Sequence, residues 1–154
     1  MKSLKIFTLL FLFCSFSFIL NAQVIEKGYF TAGLNFTTSL DEGGVKPGVA
    51  FGYTVSDNLV IGTELLGSVS GGDNSTFGFQ PYGRYYFSNF FGQLGLNYSR
   101  VKVSGTSTSN TDISLGAGYA FSFGDGALIE PYLKVFPGDI MVISMGVGVT
   151  LLLE

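Results

Sequence analysis

From Gly28 onward the chain repeats one local pattern, about ten residues that alternate large apolar with small or polar side chains, followed by a short cluster of Gly, Ser, Asn or Asp. Alternation with a period of two puts successive side chains on opposite faces of an extended strand, and no stretch of helical period interrupts it. The first segment sets Phe30, Ala32, Leu34 and Phe36 against Thr31, Gly33, Asn35 and Thr37, and the second sets Val49, Phe51, Tyr53 and Val55 against Gly48, Ala50, Gly52 and Thr54. A third runs from Leu59 with Gly62, Glu64, Leu66 and Ser68 on its polar face, and a fourth opposes Phe77, Phe79, Gly83, Tyr85 and Phe87 to Gly78, Gln80, Tyr82, Arg84 and Tyr86. Four more follow, each ending in a turn signal or at the end of the chain, the last running from Met141 to Leu153. Eight segments with short connections predict an all-antiparallel up-and-down meander.

Such strands can close into a barrel that is apolar inside or one that is apolar outside, and the polar face decides between them. A water-facing exterior would be rich in Lys and Glu, whereas here that face is mostly Gly, Ser, Thr, Asn and Gln. This composition suits a narrow lumen, since eight strands leave an interior just filled by side chains. Glycines on that face, such as Gly62, Gly118 and Gly146, make room for Tyr82, Tyr86 and Arg84. Only 12% of the residues are charged, about half the share of an ordinary soluble domain, so the apolar surface needs lipid to cover it. Aromatic residues gather at the strand ends: Tyr53, Tyr85, Phe87, Phe90, Phe121 and Phe123 by the short turns, with Phe36, Phe77, Phe79, Tyr98 and Phe136 at the opposite ends. Two such girdles mark the two interfaces of a membrane barrel. Closure is then obligatory, because an unpaired backbone group in hydrocarbon costs several kcal/mol. Pro81 and Pro131 each remove an N–H from mid-strand, and bulges are expected there.

Residues 1–22 read as a cleaved export signal: Lys2 and Lys5, an apolar run from Ile6 to Leu20, then Asn21-Ala22. Residues 23–154 form the barrel domain. That part has six Lys and Arg against eleven Asp and Glu, a net charge of −5, which disfavours nucleic acid. It has no cysteine, so disulfides and thiolate metal sites are excluded, and no histidine, so a Ser-His arrangement is impossible. No cofactor, metal site or catalytic motif is expected, and the chain is read as nonenzymatic.

From Gly28 to Leu153 the pattern resembles the small outer-membrane β-barrels of the OmpA transmembrane-domain and OmpX type, through architecture more than through any one motif. The resemblance implies residence in the outer membrane of a Gram-negative bacterium, insertion by the barrel-assembly machinery, contact with membrane lipid and lipopolysaccharide, and a monomer. It implies periplasmic turns at Ser56 to Asn58, Ser88 to Asn89 and Gly124 to Gly126, and outer loops near Leu40 to Val45, Gly71 to Ser75, Ser104 to Asn110 and Pro137 to Asp139. Members usually end on an aromatic residue, where this sequence has Leu153-Glu154.

The candidate site is the polar lumen: Glu64, Gln80, Tyr82, Arg84, Asp112, Glu130 and Lys134. Pairing the third and fourth strands about Asn74 sets Glu64 opposite Arg84, which predicts a salt bridge across the lumen. Glu130 and Lys134 share a face but lie too far apart for direct contact, and Asp112 is placed beside them. These groups either stitch the barrel together or gate an ion path, because charges within a membrane are costly unless paired. Arg100 and Lys102 fall on the outward face at an outer rim, near acidic headgroups or water. The leading expectation is a structural barrel serving membrane integrity or surface interaction. A small pore for ions or small apolar molecules, and a soluble lipocalin-like binding barrel, are the alternatives.

Overall fold

The computed structural model describes residues 25–40, 45–70, 74–103, 105–124, 126–138 and 141–154. The export signal and parts of the expected outer loops lie outside the described residues. The strands are β1 (Phe30–Ser39), β2 (Val45–Ser56), β3 (Leu59–Ser70), β4 (Asn74–Phe87), β5 (Phe90–Val103), β6 (Thr106–Tyr119), β7 (Phe121–Ser122), β8 (Ala127–Phe136) and β9 (Val142–Leu153). Every neighbouring pair is antiparallel. The ring closes through eight of them, with β1 paired to β9 and β6 paired to β8, and the two-residue β7 lies outside it. Eight of the nine strands hold ten to fourteen residues, enough to cross a hydrocarbon core at a tilt near 45°.

The barrel is apolar outside. Leu34, Leu94, Leu115 and Leu133, all near mid-strand, are each more than half exposed, while Thr54, Glu64 and Gln80 are wholly buried. Inversion of the usual soluble arrangement is therefore complete at the middle of the wall, and a lipocalin-like soluble barrel does not fit it. Rings join in a belt at the short-turn end, with Phe30 on Tyr53 at 4.9 Å, Tyr85 on Phe87 at 4.6 Å and Phe90 on Tyr119 at 4.8 Å between centroids. Phe36, Phe77, Phe79 and Tyr98 stand exposed toward the other end. Phe136 does not join them. It is two residues beyond the buried Lys134, so strand parity turns it inward, where it lines the mouth of the lumen.

The prolines act differently from expectation. No register shift occurs at either one, and among the described residues the one shift lies between Thr54 and Ser56 on β2. Instead the ladder opens on one side: β4 and β5 pair up to Phe79 with Tyr98 and resume at Tyr82 with Gly95 on the same register. Beside Pro131 the β6–β8 ladder stops at Gly118 with Tyr132, and β7 resumes the same register at Phe121 with Ile129. A missing N–H removes one bond without inserting a residue, so a gap suffices. That gap splits the expected sixth strand into β6 and β7, and Ala120 turns its N–H to the Asn89 carbonyl, 2.7 Å away.

Inside, the lumen has layers. At the short-turn end Val60, Tyr82, Tyr86, Phe91 and Leu128 form an apolar cluster that Ile25 stoppers from below. The segment before β1 is held there by bonds from Asn58 N to Ile25 O at 3.0 Å and from Gly28 N to Thr54 O at 2.9 Å. Three inward rings each face a glycine directly across a ladder: Tyr82 faces Gly62, Phe91 faces Gly118 and Tyr132 faces Gly146. A Cβ at Gly118 would sit 2.4 Å from the Phe91 ring, and one at Gly146 2.5 Å from the Tyr132 ring. Glycine is thus the only residue that lets these rings lie flat against the opposite wall.

Candidate functional site: a closed polar layer in the lumen

Above the apolar stopper, inward parity brings two acids and two bases to one level. The Arg84 guanidinium meets Glu130 at 2.8 Å across the lumen, and the Lys134 ammonium meets Glu64. The expected Glu64–Arg84 pair is not formed. The β3–β4 ladder runs about residue 72 rather than Asn74, so Arg84 lies opposite Val60 and Glu64 opposite Gln80. A turn centre displaced by two residues moves a cross-strand partner by four, far enough to exchange partners.

Each charge is also fixed by neutral groups. Glu130 accepts from the Tyr86 hydroxyl and the Thr150 hydroxyl, both at 2.6 Å, while Asn35 Nδ2 donates to Glu64 at 2.9 Å. Arg84 donates through Nε and Nη2 to Gln93 Oε1 at 3.0 and 2.8 Å, and its guanidinium carbon lies 4.4 Å from the Phe91 ring centre and 5.2 Å from that of Tyr82. Gln80 bonds Ser114 and accepts from Lys134 at 3.4 Å, and the Lys134 ammonium stands over the Tyr132 ring at 4.9 Å. Two positive and two negative groups cancel, and their mutual bonds offset part of the desolvation that burial in the lumen imposes on them.

Of the sequence candidates, Glu64, Gln80, Arg84, Glu130 and Lys134 belong to this layer, and Tyr82 stacks beneath it. Asp112 does not. It sits at the outer mouth, where Asn110 donates to it at 2.7 Å. Glu130 and Lys134 do not pair with each other, as their spacing requires. Asn35, Tyr86, Gln93, Ser114 and Thr150 complete the network and were not singled out from the sequence as site residues. Gln93 was within reach, because the two-residue turn at Ser88 and Asn89 sets it opposite Arg84. Outside the spanning strands, the exposed Tyr29 hydroxyl donates to Glu154 at 3.2 Å, and that carboxylate holds the phenol above its ordinary pKa.

A closed eight-stranded barrel, apolar outside and plugged by paired charges, has the fold of transmembrane β-barrels. Among solved structures the chain is similar to the N-terminal β-barrel domain of Pseudomonas aeruginosa OprF, with a TM-score of 0.65 and 13% identity over 84% of this chain and 99% of that one. It is similar also to a de novo designed transmembrane β-barrel, at a TM-score of 0.57 and 11% identity over 85% and 100%. The Yersinia pestis outer membrane protein Ail in a phospholipid bilayer nanodisc matches at 0.56 and 13% identity over 82% and 99%. No family model and no curated protein matches the sequence.

Proposed function

We propose that the mature chain is an integral, nonenzymatic barrel of the bacterial outer membrane, akin to the small OmpA- and OmpX-type barrels, with a lumen shut to ions and a role in envelope integrity or surface contact. The observation that carries this is the pairing of an apolar exterior with a lumen closed at mid-height, where Glu64 and Gln80 are fully buried and Glu130 is 1% exposed. Side chains buried to that degree leave no continuous aqueous path past them. In this reading residues 1–22 direct export, the barrel-assembly machinery inserts the chain as a monomer, and lipid and lipopolysaccharide surround the wall. The short turns face the periplasm.

Surface contact has its own support. The β5–β6 hairpin pairs as far as Val103 with Thr106, although β8 reaches only to Leu115 of β6. Lys102, Val103, Thr106 and Ser107, at the far end of this hairpin, are exposed, so its end stands beyond the rim. The alternative of a small pore places a gate at the charged layer.

Planar-bilayer conductance of the refolded protein and of Glu64→Gln separates these readings. Negligible current from both supports the plug, whereas current in the wild type that Glu64→Gln changes establishes the gate. Faster migration of the unheated protein on a denaturing gel tests closure, and recovery in the periplasmic soluble fraction would refute the membrane assignment.

A further inference from the structure

The outer mouth of the lumen has a mixed lining, polar residues interrupted by large apolar ones. Above the charged layer lies a cup of about 280 Å³. Four inward positions around it carry apolar side chains: Leu66, two residues beyond Glu64; Val101, beyond Ser99; Phe136, beyond Lys134; and Val142, before Ser144. Between them the lining is polar, with Thr37, Thr76, Asn97 and Ser99 and the charged Lys46 and Asp112. Apolar groups gathered in a concave space leave unfavourable surface that a ligand would cover.

Two of the polar groups in the cup are placed to orient such a ligand. Ser39 and Ser144 lie directly opposite each other on the β1–β9 ladder, both are buried and both line the cup. Among the described residues the Ser39 hydroxyl has no hydrogen-bond partner. A buried hydroxyl without a partner costs free energy that a ligand acceptor or donor would restore. Apolar side chains set among polar groups that can fix an orientation make up a small-molecule site, and the volume is at the small end of such sites, about 300 Å³.

We propose that this cup binds a small amphipathic molecule, a single ring or short apolar body carrying a hydroxyl or N–H group, with the body against Phe136, Leu66 and Val142 and the polar group on Ser39. The floor is shut: Thr37 and Tyr132 share a hydrogen bond of 2.6 Å there, with the Lys134–Glu64 pair in the charged layer. The ligand is therefore held at the mouth and not passed through. The inference rests on the membrane reading only for the side that the cup faces.

The test uses the barrel refolded into phospholipid nanodiscs, with 4-hydroxybenzyl alcohol as probe and methyl α-glucoside, which has hydroxyls but no apolar body, as contrast. Backbone amide shifts read the site. The expected result is saturable movement at Ser39, Thr76 and Ser144 with the probe and none with the glucoside. Ser39→Ala should weaken the probe about fivefold, the measure of one hydrogen bond. Gly78→Leu should abolish saturation, because a Cβ there already lies 3.2 Å from Leu66 Cβ and the added side chain fills the cup. If that variant fails to regain the fast-migrating form, Phe136→Ala, which only removes bulk, should weaken binding at least fivefold. Shifts that rise without saturating, that spread to the outward Leu94 and Leu115, or that match for glucoside and probe would overturn the proposal. Failure of the membrane reading would show separately, as a chain that does not enter the nanodisc.

Discussion

Truncating Arg84 tests the charged layer most directly. The guanidinium donates four hydrogen bonds, two to Gln93 and one each to Tyr86 and Glu130. Arg84→Met keeps much of the apolar stem against Tyr82 and Phe91 but leaves the Glu130 carboxylate, 1% exposed, with only the Tyr86 and Thr150 hydroxyls. Removing one member of a buried ion pair costs about 3–5 kcal/mol, because the surviving charge stays desolvated. The lost cation–π contacts add about 1 kcal/mol. Arg84→Met is therefore expected to lose about 4–6 kcal/mol, a large part of the stability of a small domain. Glu130→Gln in the same background removes the orphaned charge, so the double variant should recover about 2–3 kcal/mol relative to the sum of the single ones. The pair Arg84→Met with Glu64→Gln should show much less coupling, since Glu64 is neutralised by Lys134. Urea titration of the refolded protein in lipid vesicles measures this, followed by gel mobility because the chain has no tryptophan. Coupling of Arg84 to Glu64 equal to or greater than its coupling to Glu130 would refute the assignment of partners.

Gly118→Val is expected to lose at least 1–3 kcal/mol or fail to refold, since its Cβ would lie 2.4 Å from the Phe91 ring and 2.6 Å from the Pro131 carbonyl oxygen; the same titration checks it. Leu94→Arg, mid-wall on the lipid side, should cost about 2–4 kcal/mol in vesicles, whereas Asn97→Ser on the inward face three residues along should cost less than 1 kcal/mol. Ile25→Ala should loosen the stopper by about 2 kcal/mol and raise hydrogen exchange at Asn58, whose amide donates to the Ile25 carbonyl.

Side-chain parity is a local property of an extended chain, and for that reason the sequence alone told which residues face outward and which face the lumen. Thr31, Asn35, Gln80, Arg84, Glu130 and Lys134 are buried as their parity demands, and Phe136 is inward by the same rule, although its place near a strand end suggests the girdle. The short turns were legible for the same reason, down to the facing of Arg84 and Gln93. Partnership across the lumen is not local. It depends on where each longer loop centres its hairpin and on the stagger with which β1 meets β9 and β6 meets β8, and each residue of shift at a loop centre displaces a partner by two. Only the closed barrel set Arg84 against Glu130 and Glu64 against Lys134, left Asp112 at the rim, and gathered four apolar side chains from four strands into one cup. The prolines draw the same line: their missing N–H groups could be read from the sequence, but whether the sheet answered with a bulge or a gap was decided by the register that its neighbours held.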